Sequence, residues 1–156
     1  MKKLPRTQSC FVCGRANSSG LDLEFETDGT IVRTRFVPKP EHVGFKGIIH
    51  GGIVATLLDE IMVWACGVQT QRFAFCAEMT VRYLQHVQPE IELVAEGELV
   101  SNRRNRIFET RAELRNREAI VLATSTGKYL PIKNADTKPF LEEFETGPES
   151  MQELFR

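Results

Sequence analysis

The residues best suited to chemistry in this sequence are His50-Gly51-Gly52 and, a short way on, the adjacent acids Asp59 and Glu60. Glycines at a helix start expose the backbone, and the first amides of a helix lack intrahelical partners while the dipole makes that end electropositive. Amides aimed at one point can hold a developing oxyanion, the electrostatic device of acyl transfer. Acids inside an apolar run cost several kcal/mol, in order of magnitude, unless they are paired, hydrogen-bonded or set in a solvent-filled site. Work as a general acid, a general base or a nucleophile is one reason to keep such a group. The competing reading of the glycines is close packing of helix on sheet. For His50 it is a ring that only holds its own loop, and for Glu60 a structural ion pair with an arginine.

Asp59 follows His50 by nine residues, which on a helix is two and a half turns, ~13 Å, and roughly the opposite side. One helix does not easily bring its own N-terminal amides and Asp59 to the same atom. Two copies, antiparallel across a two-fold axis, can do so. The spacing therefore predicts a dimer if both ends are catalytic.

The elements that must position these groups follow from periodicity. From Gly51 to Gly67 the chain is almost entirely apolar or small, with Asp59 and Glu60 as the charged residues, which predicts a buried central helix. Gly67 is the expected C-terminal cap, and the run falls short of the ~20 apolar residues of a membrane span. Before it, Leu21, Leu23 and Phe25 alternate with acids as in a half-buried strand. Asp28-Gly29 marks a hairpin turn, Thr30 to Val37 the returning strand, and Pro38 and Pro40 its end. After the helix, Phe73 to Leu84, 91–101, 106–115 and 118–130 read as four more strands, joined by turns suited to antiparallel hairpins. One long helix wrapped by an antiparallel sheet of about six strands is an α+β architecture.

Composition bounds the function. At 156 residues, with a formal net charge of −1, the chain reads as one domain with no global field to steer nucleic acid or an anionic membrane. Met1-Lys2-Lys3-Leu4-Pro5 is not a secretory signal, and four scattered cysteines do not make a secreted disulfide framework. The cytoplasm is the expected location. Residues 1–20 form an irregular lead-in, 21–130 the main domain and 131–156 an acidic tail, either a short helix or loose chain, broken at Gly147-Pro148. Cys10-Phe11-Val12-Cys13 offers half of a zinc site, where a structural site wants four ligands. It lacks the context of a thioredoxin-like redox pair, so a tight turn that packs its thiols is the expectation, with no metal.

The run His50-Gly51-Gly52 with Leu57-Leu58-Asp59-Glu60, preceded by Cys10-Phe11-Val12-Cys13-Gly14 and Gly20-Leu21, resembles the hotdog-fold acyl-CoA thioesterases of the PaaI-like, phenylacetate-pathway group. The resemblance extends to Leu130. It implies a hotdog fold assembled as a homodimer or a dimer of dimers, acting on an acyl-CoA without metal or other cofactor. It implies further that the Gly51 amide, with Gly52 beside it, polarises the thioester carbonyl and that His50 lies next to that site. Asp59 of the partner subunit, favoured over Glu60, then serves as base or nucleophile. Arg103, Arg104 and Arg106 flank the hairpin that in relatives runs along the nucleotide, and guanidinium forks suit its phosphates; Arg82 and Tyr83 are weaker candidates. Two positions depart from the family pattern. Gly44 stands where some relatives carry an Asn that contacts the carbonyl, and Cys76, a poorer hydrogen-bonding group, where they often carry Ser or Thr to hold water.

The leading expectation is thioester hydrolysis, with a non-catalytic acyl-CoA-binding protein as the alternative and a hotdog dehydratase disfavoured for want of its carboxylate–histidine motif. Met62, Trp64, Phe73 and Phe75 are candidates for an acyl pocket, with core packing the better reading for most of them.

Overall fold

The computed structural model describes residues 1–133 and 137–144. In chain order it contains β1 (Lys2–Lys3), β2 (Phe25–Thr27), β3 (Ile31–Phe36), a 3-10 turn (Pro40–His42), β4 (Val43–Phe45), β5 (Ile48–Ile49) and α1 (Gly51–Thr70). There follow β6 (Ala74–Tyr83), β7 (Leu93–Arg103), β8 (Ile107–Asn116), β9 (Val121–Pro131) and a short α2 (Lys138–Glu142). Seven strands form one sheet in the order β1-β2-β3-β7-β8-β9-β6, and every neighbouring pair is antiparallel. The sheet wraps α1, which packs on β3, β6, β7, β8 and β9. This is the hotdog architecture, one strand larger than expected because Lys2–Lys3 pairs with Glu26–Thr27.

The all-round apolarity of α1 has its cause in that wrapping. Leu57, Leu58, Ile61, Met62, Ala65 and Cys66 are fully buried, and β7 comes so near that a Cβ on Gly97 would sit 3.2 Å from Ile61. At 20 residues and a mean hydropathy of 1.5 the helix is long and apolar enough to cross a membrane, so its length excludes nothing. What argues against a span is that it is the core of a wrapped sheet and carries two acids at its middle. The helix also runs past Gly67, which is buried in its last turn. Val68-Gln69-Thr70 carries no helix stop, and the cap is Gln71, left-handed at φ 55° with its N–H on Gly67 O.

Strand β2 is shorter than the alternation of Leu21, Leu23 and Phe25 implies. The Leu21 and Leu23 amides donate instead to Phe11 O at 2.8 Å and Val12 O at 2.9 Å. The lead-in is therefore part of the body of the fold, with Leu4, Val12 and Cys13 in the core. At the other end, of the two alternatives for the tail, a short helix is present over Lys138–Glu142 as α2. Phe144, after it, stacks on Phe73 and packs edge-on to Trp64. The tail residues Asp136, Glu145, Gly147-Pro148, Glu149, Glu153 and Phe155 lie outside the described residues.

Candidate functional site

The first half of the site is the N-terminal end of α1. His50 is extended (φ −59°, ψ 132°) and caps the helix with its own ring, the Gly52 amide donating to Nδ1 at 2.8 Å. The bond requires Nδ1 to be unprotonated, so the ring proton of neutral His50 sits on Nε2. Gly52 is sterically required there, because a Cβ would lie 2.9 Å from His50 Nδ1. The next amides, Ile53 and Val54, turn back to His50 O. The Gly51 amide has no acceptor among the described residues, whereas its carbonyl accepts the Tyr83 hydroxyl at 2.8 Å. An open cleft of about 390 Å³ lies over this end, lined by Phe45, His50, Gly51, Val54, Tyr83 and His86 among others. Gly44 also lines it. A Cβ at Gly44 would come within 3.0 Å of the His50 ring, so an Asn here could enter only if His50 moved.

The second half is around Asp59, which does not line that cleft. Its Oδ1 accepts the Tyr129 hydroxyl at 2.7 Å, and Tyr129 is fully buried. Cys76 stands directly across the strand pair from Tyr129. Burial first, and then the Asp59 charge, push the Cys76 thiol above its ordinary range. The same two causes push Cys66 up to about 12, and burial followed by the bond to Asp59 raises Tyr129. Neither Tyr129 nor the thiols can therefore supply an anion here at neutral pH. The carboxylate is held in place by a neutral phenol, with the Cys76 thiol hydrogen-bonded beside it. Tyr129 escapes a reading of motifs, but the period-two pattern of β9 contains a signal: Ala123, Ser125 and Tyr129 share the buried face, and a buried tyrosine hydroxyl demands a partner.

Glu60, one residue on, faces elsewhere. Its Oε1 lies 3.8 Å from Cys10 Sγ and 3.7 Å from Cys13 Sγ. Burial, then the neighbouring Cys10 and Asp59, push its carboxyl up to about 8. Of the two thiols Cys10 is the one held low, by hydrogen bonds from Cys13 and the Val12 amide.

The arginines are not brought to the Gly51 cleft. They sit on the β7–β8 hairpin, whose Asn105 carbonyl meets Arg72 just past the far end of α1, a helix of 20 residues and hence about 30 Å long. Arg103 pairs with Glu109 at 2.7 Å. Arg104 and Arg106 are exposed and make no ion pair among the described residues. Arg82 is exposed on β6, as is Tyr83, which reaches the cleft. Met62 and Trp64 are core residues, Phe73 packs on Phe140 and Phe144, and Phe75 is 52% exposed.

A buried helix with an unengaged amide end and a hydrogen-bonded acid at its middle, wrapped by this sheet, defines a hotdog protein of thioesterase type. The sequence profile of the thioesterase superfamily matches residues 46–123, half of the 156 residues, and the chain belongs to that superfamily. The matched stretch contains His50, Gly51, Asp59, Cys76 and the hairpin arginines, while Tyr129 and the Cys10–Cys13 lead-in fall outside it. No curated protein matches by sequence. Among solved structures the fold is similar to that of RHA08564, a thioesterase superfamily protein, with a TM-score of 0.70 at 24% identity over 78% of this chain. The chain spans 59% of the length of RHA08564. It is similar also to the Escherichia coli PaaI protein from the phenylacetic acid degradation operon (TM-score 0.66, 18% identity, covering 72% of this chain and 81% of that one). A third similar structure is smu.793 of Streptococcus mutans, solved bound to acetyl CoA (TM-score 0.65, 18% identity, covering 70% of this chain and 88% of that one).

Proposed function

We propose that this chain hydrolyses acyl-CoA thioesters to the free acid and CoA, at sites shared between two copies. The observation that carries the reading is the unengaged Gly51 amide at the electropositive end of α1, opening on the cleft. That amide polarises the thioester carbonyl and holds the oxyanion as it forms, a contribution of ~10²–10³ in rate for one donor. Asp59 of the partner subunit takes the proton from a water as its oxygen adds to the carbonyl carbon, or attacks that carbon itself. In the second case loss of the thiolate leaves a mixed anhydride, which water then hydrolyses to the free acid and the regenerated Asp59 carboxylate. Collapse of the tetrahedral intermediate breaks the C–S bond, and the departing CoA thiolate takes up a proton. The acetyl CoA bound by smu.793 supports an acyl-CoA ligand.

Two features favour the shared arrangement. Asp59 and Gly51 are eight residues apart on one continuous helix, about 12 Å, and Asp59 does not line the Gly51 cleft of its own chain. Strand β6 is an end strand of the sheet and carries an exposed Phe75, the kind of edge that pairs with a second copy. Pairing there lays two α1 helices antiparallel and brings the distant hairpin arginines of one copy toward the cleft of the other.

A non-catalytic acyl-CoA-binding protein is the second reading, favoured by Cys76, which places a weakly polar neutral thiol beside Asp59. Release of free thiol from a panel of short, long and aromatic acyl-CoAs separates the two. Hydrolysis of any member above the uncatalysed rate supports the enzyme, and tight binding of the panel with no thiol release supports the binding protein.

A further inference from the structure

We propose that Cys10, Cys13 and Glu60 form a zinc site that ties the N-terminal lead-in to the middle of α1. On sequence the Cys-x-x-Cys pair is short of ligands; the fold brings to it an acid from 47 and 50 residues away. The two sulfurs and a carboxylate oxygen all lie within 4.8 Å of one another. The Glu60 oxygen is 3.8 Å from one sulfur and 3.7 Å from the other. Zinc bound tetrahedrally, at ~2.3 Å from sulfur and ~2.0–2.2 Å from oxygen, demands sulfur–oxygen edges of about 3.5 Å. Both sulfur–oxygen edges are within a few tenths of an ångström of that length.

The surroundings are those of a ligand set. The Val12 amide donates to Cys10 Sγ at 3.3 Å, and the Thr7 hydroxyl is 3.4 Å from Cys13 Sγ. Outer hydrogen bonds of this kind orient metal ligands and stabilise thiolate. Cys13 is 1% exposed and Glu60 is largely buried. Among the described residues the partners of the Glu60 carboxylate are these two thiols. Arg6, which reaches this corner, gives Nε to Cys13 O at 3.1 Å and its terminal nitrogens to Asp22 and Glu24. Among the described residues three acidic groups thus converge with no cation against the carboxylate, an arrangement costly to bury and one that a dication resolves. Two thiolates favour zinc over magnesium or calcium. Cys10 is half-buried, so the fourth corner is open to a water on its side.

The site is separate from the chemistry proposed for Gly51 and Asp59, and its test does not depend on hydrolysis. The full-length protein, reduced and stripped of metal, is titrated with Zn²⁺ alone and with Co²⁺ alone, with metal content read by mass spectrometry and thiolate coordination by the sulfur-to-cobalt charge-transfer absorption. The expected result is about one equivalent of zinc per chain, a charge-transfer band with cobalt, and a higher melting temperature with metal than with chelator. Cys10→Ser and Cys13→Ser abolish the band. Glu60→Gln, whose fold is checked by circular dichroism, keeps a band but binds at least ~10-fold more weakly. The proposal is overturned if the fully reduced wild-type chain takes up no metal, or if metal content is unchanged in the Cys10→Ser/Cys13→Ser double variant. It is overturned equally if reduced Cys10 and Cys13 reoxidise to a disulfide in the presence of zinc with no metal retained.

Discussion

Tyr129 donates its hydroxyl to Asp59 Oδ1 at 2.7 Å from a fully buried ring, across 70 residues of sequence. The helix acid is thus not a free side chain on a half-buried surface. One oxygen is fixed by a donor that stays neutral, and the Cys76 thiol lies beside the same carboxylate. Tyr129→Phe keeps the ring in its place and removes that bond. Stability should fall by about 1.5–3 kcal/mol, the worth of a hydrogen bond to a charged group. In the proposed hydrolase kcat should fall several-fold with KM held, since the lost bond orients the acid without touching the acyl-CoA. Steady-state kinetics beside a thermal melt check this; a melting shift with kcat unchanged would make Tyr129 a packing residue only.

The two glycines of the helix start should respond differently to alanine. At Gly52 the added Cβ falls 2.9 Å from His50 Nδ1, so the ring must swing away and its bond to the Gly52 amide is lost. The expected cost is about 1 kcal/mol for the cap, with strain in addition. At Gly51 the atoms nearest the added Cβ belong to the Tyr83 side chain, at 3.4 Å, an ordinary contact, and alanine is a better helix former than glycine. Denaturant melts of Gly51→Ala and Gly52→Ala should therefore rank the first as the more stable.

Assembly should run through β6. Phe75 is 52% exposed on that end strand, and a lysine there would face its own copy across a two-fold axis. Light scattering should give the wild type at least twice the 17.7 kDa chain mass. Phe75→Lys should move the population toward single chains and reduce hydrolysis in parallel. A wild-type chain that remains single at high concentration would remove the basis for shared sites.

What could be read in the sequence was local. The buried helix, its His50-Gly51-Gly52 start and the four strands after it follow from periods and spacings within a few turns. Contacts made by distant segments were not legible. Tyr129 meets Asp59 and the Cys10–Cys13 turn meets Glu60 only because the sheet wraps α1 and the lead-in lies along it. The same cause cut short the strand expected at Leu21–Phe25, since Phe11 and Val12 compete successfully for the Leu21 and Leu23 amides. The cap moved from Gly67 to Gln71 because burial of Gly67 against the sheet outweighs its weak preference to end a helix.

A site built from the Gly51 amide of one chain and Asp59 of the other can be restored by complementation between two inactive variants. Gly51→Pro removes the amide N–H at the first helical position, where proline is tolerated, and His50 already has the extended backbone that precedes a proline. Asp59→Asn removes the charge and keeps the shape. Each variant alone should lose ~10²-fold or more in thiol release from the best acyl-CoA of the panel. Co-assembled in equal amounts, half of the dimers carry both kinds of chain and each of these holds one intact site, so about a quarter of wild-type activity should return. No recovery from the mixture, or near-wild-type turnover in either variant alone, would mean that the site is not shared between Gly51 of one chain and Asp59 of the other.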